Sequence, residues 1–140
     1  MLTIDVATRD AIVAHARRDH PDEACGVVAG REDSDRPTRY IPMLNAARSP
    51  TFYEFDSVDL LHLYQEMAKL DEEPVIIYHS HTSTEAYPSR TDISYASEPN
   101  AHYVLVSTRE ELGEEVEFRS YRIVDGVVTE EPITVVESYG

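Results

Sequence analysis

The sequence predicts an α/β or α+β sheet domain, and two observations carry that prediction. Short, apolar, β-branched runs at Glu23–Gly30, Pro74–Tyr78 and Ala101–Ser107 are separated by longer segments with apolar residues at helical spacing. Near the C-terminus, Glu115–Ile123 and Val127–Val136 flank an Asp125-Gly126 turn, the signature of a hairpin.

The elements follow in order. A short strand around Leu2–Val6 leads to Thr8, which can cap a helix running to about Asp19 with Ile12, Val13 and Ala16 on one face. His20-Pro21-Asp22 breaks that helix, because the residue before proline disfavours helical backbone. Glu23–Gly30 reads as a buried strand, Arg31–Pro37 as a charged loop and Arg39–Leu44 as another strand. Ser49–Phe55 is a loop or an irregular strand. Asp56 or Ser57 then caps a second helix to about Leu70, with Leu60, Leu61, Leu63, Tyr64 and Met67 as its apolar stripe. Pro74–Tyr78 is a strand that delivers His79 and His81 at its end. Ser89–Ser97 is a short helix, Ala101–Ser107 a strand, and the hairpin closes the chain. The sum is three helices interleaved with six or seven strands.

Composition narrows the function. The chain has 140 residues, enough for one domain with a real core, and no internal repeat. Its 27 acidic residues against 12 basic ones give a formal charge of −15, and Lys69 is the only lysine. Such a surface repels phosphate backbones and anionic lipid, so neither nucleic acid nor membrane is the expected partner. No run approaches the roughly 18 apolar residues of a membrane span, and Met1–Asp5 lacks the basic and apolar regions of a signal peptide. One cysteine, Cys25, permits no internal disulfide and fits a reducing cytoplasm. In its apolar strand Cys25 reads as a buried small hydrophobe rather than a nucleophile.

The chemistry concentrates at His79-Ser80-His81 and Asp92. Alternate residues of a strand share a face, so both imidazoles can converge on one ion while Ser80 faces away. Asp92 falls in the first turn of the following helix and can complete a three-ligand set with one coordination position open, the pattern of a catalytic metal site. The donor types suit Zn²⁺ without excluding Fe²⁺, Co²⁺ or Ni²⁺. Ser89 and Asp92 also match a helix capping box, and the two readings are compatible. A hydrolytic site needs a base; Glu23 is the candidate, although spacing alone does not separate it from Glu72, Glu73 or Glu85. A cupin pattern through Glu85 lacks the flanking glycines, and an HxHxD pattern would need an aspartate where Ser83 stands. His15, His20, His62 and His102 show no ligand spacing and read as ordinary histidines.

Glu23-Ala24-Cys25-Gly26, then His79-Ser80-His81, seven residues, Ser89, two residues and Asp92, resembles the JAMM (MPN-plus) metalloprotease pattern. Within it, Pro21–Val27 and Tyr78–Asp92 are similar to the actinobacterial sulfur-carrier–cysteine hydrolases. The resemblance spans nearly the whole chain and implies one domain over residues 1–140 with an MPN/cytidine-deaminase-like mixed β-sheet flanked by helices. It implies Zn²⁺ held by His79, His81 and Asp92, with Glu23 as general base and then general acid, and Ser89 stabilising the oxyanion. The implied substrate is a ubiquitin-like sulfur carrier ending in Gly-Gly, from which cysteine is released during cysteine biosynthesis. Removal of ubiquitin-like modifiers from lysines, and a metal-free MPN scaffold, are the competing readings. Thr82–Pro88 and Ser49–Phe55 are expected to wall the substrate groove. Tyr53, Tyr87 and Arg48 lie in or near these walls, with packing the more expected role for each. A homodimer through the exposed hairpin or a helix is compatible with the sequence.

Overall fold

The computed structural model describes residues 1–140 and contains a six-stranded mixed sheet in the order β3-β2-β4-β5-β6-β7. Its strands are β2 (Cys25–Arg31), β3 (Arg39–Met43), β4 (Glu72–His81), β5 (His102–Ser107), β6 (Glu117–Val124) and β7 (Val127–Glu131). Only β4 and β5 run parallel; the other neighbours are antiparallel. A separate parallel pair joins β1 (Leu2–Asp5) to β8 (Ile133–Val136). The helices are α1 (Val6–Asp19), α2 (Ser57–Lys69) and α3 (Arg90–Tyr95), with a 3₁₀ turn at Glu110–Leu112 that the sequence did not signal. The expected mixed sheet flanked by helices is therefore present, with eight strands rather than six or seven.

Strand alternation divides the core between two faces. On one, Ile12 and Ala16 of α1 and Leu2 and Ile4 of β1 pack on Val28, Ile76, Tyr78, Val104 and Val106. On the other, Leu63 and Met67 of α2 cover Val27 and Ala29. Beside them Ile77, Tyr103, Leu105, Tyr121 and Ile123 form a second patch with Ala86. Each such side chain contributes about 1.5–3 kcal/mol by leaving water. The same alternation puts His79 and His81 on the face that carries α2 and α3, following Ile77. Gly26 allows the Tyr78 ring to cross β2: a Cβ there would meet the phenol oxygen at 2.4 Å.

Several boundaries differ from the expectation. Asp5, not Thr8, caps α1, because its carboxylate accepts the Thr8 N–H at 2.8 Å; Thr8 turns inward instead. His15 is buried on α1 in place of Val13, with Nε2 donating to Asp19 at 3.0 Å and Nδ1 2.6 Å from the Tyr78 hydroxyl. Strand β2 starts at Cys25 rather than Glu23, since the backbone of Glu23 bonds to a loop. Asp56 is the cap of α2, and only Leu63 and Met67 of its stripe are buried; Leu61 and Tyr64 are exposed. Helix α3 stops at Tyr95, short of Ser97. The hairpin ends at Glu131: Pro132 lacks the N–H that pairing needs, and β8 departs to β1.

Candidate metal centre

The end of β4 and the start of α3 bring His79, His81 and Asp92 together. His79 Nε2 and His81 Nε2 are 3.3 Å apart, and each lies 3.1 Å from Asp92 Oδ2. Three donors bound tetrahedrally at about 2.0–2.1 Å would be spaced by about 3.3–3.4 Å, so this triangle has nearly the dimensions of one face of a zinc site. Proton placement points the same way. His81 Nδ1–H donates to the Glu85 carbonyl at 2.8 Å, which leaves a lone pair on Nε2 facing inward. Both histidines are buried, and a cation at the centre satisfies all three inward-facing atoms at once. The residues present fit a divalent ion with an N, N, O donor set.

Local sequence explains why Asp92 arrives there. Ser89 is the N-cap of α3: its Oγ accepts the Asp92 N–H at 3.1 Å, while its own N–H donates to Asp92 Oδ2 at 2.8 Å. This capping box starts the helix and fixes the carboxylate. Burial works to raise the Asp92 carboxyl, but the two imidazoles and the Ser89 N–H outweigh it and hold it well below the usual carboxylate range. Burial likewise lowers His79, keeping the imidazole neutral as a ligand must be.

Glu23 sits beside this triangle, 5 % exposed. Burial pushes its carboxyl up to about 7; the nearby His81 pulls it down and Asp92 pushes it further up. Its backbone is fastened on every side. The Glu23 N–H donates to Ser49 O at 2.9 Å, and the Glu23 carbonyl accepts from Asn45 Nδ2 at 3.0 Å. The next residue, Ala24, exchanges bonds with Ser80: its N–H reaches Ser80 Oγ at 2.8 Å, and the Ser80 N–H returns to Ala24 O at 3.0 Å. The serine between the two histidines thus locks the residue after the candidate base. Glu72 pairs with Arg39 and Glu73 lies near the start of β4, while Glu85 is exposed and meets His81 through its backbone carbonyl.

A cavity of about 270 Å³ runs from Asp92 between α2 and α3. Phe52, Tyr53, Phe55, Tyr64 and Tyr95 give it an aromatic lining. Tyr53 stacks on His79 with ring centroids 4.4 Å apart, and burial pushes its phenol well above the usual range. The Tyr64 hydroxyl donates to Glu98 at 2.5 Å, bridging the two sides of the cavity. Of the residues expected in the walls, Tyr53 is there. Tyr87 packs edge-on against Tyr121, and Arg48 is exposed at a φ of 46°. Thr82–Pro88 is held by Ser107, which donates to Thr84 O, and by the Tyr121 hydroxyl, which donates to Ala86 O. Cys25 is fully buried with its thiol pushed up to about 12 by burial, in keeping with a packing role. Sequence reasoning placed Ser49–Phe55 in the wall but missed Asn45 and the far wall formed by Tyr64, Tyr95 and Tyr103.

Comparison with known proteins shows the family and the fold. Residues 5–124 match the family described as prokaryotic homologs of the JAB domain. The chain is 65 % identical over 139 residues to the CysO-cysteine peptidase of Mycobacterium tuberculosis, covering 99 % of this chain and 94 % of that protein. It is 34 % identical over 111 residues to the desampylase of Haloferax volcanii, covering 76 % and 80 %. Protein DSY2949 of Desulfitobacterium hafniense has a similar solution structure, with a TM-score of 0.83 at 31 % identity, covering 99 % of this chain and 94 % of that one.

Proposed function

Because the chain belongs to the family of prokaryotic homologs of the JAB domain, we propose that it is a zinc hydrolase acting on a ubiquitin-like sulfur carrier. The reaction is cleavage of the amide after the carrier's C-terminal Gly-Gly, which releases L-cysteine. The triangle of His79 Nε2, His81 Nε2 and Asp92 Oδ2 is the observation that carries the chemistry. The likeness to a CysO-cysteine peptidase along almost the full chain supports the substrate.

In this mechanism His79, His81 and Asp92 would hold Zn²⁺, which when bound would supply a Lewis acid that makes water a stronger acid near neutral pH. Glu23 takes a proton from the attacking water onto its carboxylate. A carboxyl raised by burial is a better proton acceptor, and it returns the proton readily to the leaving amine of cysteine. Water is consumed, the glycyl carboxylate and the cysteine amine are the products, and no covalent enzyme intermediate forms. Ser89 Oγ already accepts the Asp92 N–H, so its own proton remains free to donate to the developing oxyanion. Tyr53 covers one face of His79 and keeps water from that side.

The test is mass spectrometry of a Gly-Gly-ending carrier that bears a C-terminal cysteine, incubated with enzyme with and without a chelator. Loss of one cysteine residue only in the metal-loaded sample is the expected result. The likeness to a desampylase favours one second reading, removal of ubiquitin-like modifiers from lysines. An unchanged carrier with zinc bound would select it.

A further inference from the structure

We infer that Asn45 is a positioning residue for Glu23, an inference that rests on the proposed function only for its activity readout. Asn45 is 5 % exposed and lies two residues past the end of β3. All four hydrogen-bonding positions of its amide are occupied by backbone. Oδ1 accepts the N–H groups of Ala47 at 3.0 Å and Glu54 at 3.1 Å. Nδ2 donates to the carbonyls of Phe52 at 2.9 Å and Glu23 at 3.0 Å.

Three of those bonds close the neck of the loop between Asn45 and Phe55, which also pair in an isolated bridge. The fourth leaves the loop. An asparagine that only stabilised a turn would need its carbonyl; the Nδ2 arm to Glu23 adds nothing to the neck. It joins with the Glu23 N–H bond to Ser49 O, so that the loop grips both peptide groups of the candidate base. The same loop presents Tyr53 to His79, and Thr82 Oγ donates to Pro50 O at 2.9 Å, tying it to the residue after His81. Asn45 is thus the one side chain that connects the base, the loop and, through the loop, the histidine strand. Glu23 lies outside β2, so no strand ladder performs this task for it.

The two functions of the amide can be separated. Asn45→Asp keeps the acceptor bonds to Ala47 and Glu54, two of the three at the neck, but at neutral pH loses the donor bonds to Glu23 and Phe52. Asn45→Ala removes both sets. With bound zinc equal to wild type, both variants are expected to lose about 10- to 100-fold in kcat, the scale of a displaced catalytic group, with KM within about threefold. Amide hydrogen exchange provides a readout independent of activity. The Glu23 N–H should lose protection in both variants, while Ala47 and Glu54 lose it only in Asn45→Ala, and the β5 and β6 amides stay unchanged. Near-wild-type kcat and Glu23 protection in Asn45→Asp would reduce Asn45 to a loop brace and overturn the inference. So would loss of protection throughout the sheet in both variants, since that is a general loosening. If wild type leaves the carrier adduct intact, the substrate reading fails, and the exchange pattern still decides the role of Asn45.

Discussion

At the residue scale, Glu23 and Gly26 lie three positions apart and are constrained by opposite things, a charge to be placed and a volume to be left free. Glu23→Gln keeps the shape and the backbone bonds but cannot take a proton. It should bind zinc as wild type does and lose at least about 100-fold in kcat, the lower end of what a general base supplies. Near-normal turnover in that variant would remove Glu23 from the mechanism. Gly26→Ala drives a methyl into the Tyr78 phenol, which is held in turn by His15. It should cost about 1–3 kcal/mol of stability, measured by urea unfolding, because the ring cannot move without breaking that bond. The candidate ligands were legible in the sequence because two histidines one residue apart on a strand must share a face. Asn45 was not, because a single asparagine ahead of a loop has many local uses and its arm to Glu23 is a tertiary contact. Tyr53 stood between these cases: its segment was placed in the wall, but the stack on His79 depends on a loop path that no periodicity encodes.

At the element scale, α3 is six residues long, too short to be stable alone, and it depends on its cap. Ser89→Ala removes the acceptor for the Asp92 N–H and should cost about 0.5–2 kcal/mol. The Ser89 N–H bond to Asp92 Oδ2 survives in this variant, but the helix start that holds the Asp92 backbone loosens, so zinc affinity should fall about 10- to 100-fold, read by competition with a chromophoric chelator. An unchanged affinity would mean that the helix start does not aim the carboxylate. The strands and helices themselves were legible where periodicity and a cap agreed, as at α2. They were misread where tertiary pairing competed with local signals. Thr8 looks like a cap, yet Asp5 at the end of β1 takes that role. Val127–Val136 reads as one strand, yet Pro132 divides it between two sheets.

At the scale of the whole molecule, a second polar cluster stitches the sheet together at the end of β5 remote from the metal triangle. His102, fully buried, lies 2.6 Å from Glu131 Oε2 through Nδ1 and 2.8 Å from Asp35 Oδ1 through Nε2, and Ser120 Oγ donates to Glu131 at 2.7 Å. Spacing assigns His102 no special role, since its partners come from distant elements. Burial works to raise the Glu131 carboxyl, but hydrogen bonds from His102 and Ser120 outweigh it and hold it at about 2. A carboxyl depressed in the folded state stabilises it fully above its ordinary value of 4.5, and that contribution, on the order of 3 kcal/mol, is lost as pH falls toward about 2. Glu131→Gln should therefore lose less stability than wild type between pH 6 and pH 3 in urea titrations. Equal losses would show that Glu131 does not set the acid limit.

The pairing of β2 with β4 has a kinetic consequence. Cys25 lies opposite His79, although α1's successor strand and β4 are separated by β3, the Asn45–Phe55 loop and α2. Contacts so far apart in the chain form slowly, because a long segment must be ordered before they are made. The two histidines, being local, can capture metal in a chain that has not yet folded, while the base still lies elsewhere. In a refolding experiment, metal uptake should precede the return of activity. On the proposed function, a newly made or partly unfolded chain would then bind metal without cutting, and hydrolysis would begin only when the centre of the sheet has closed.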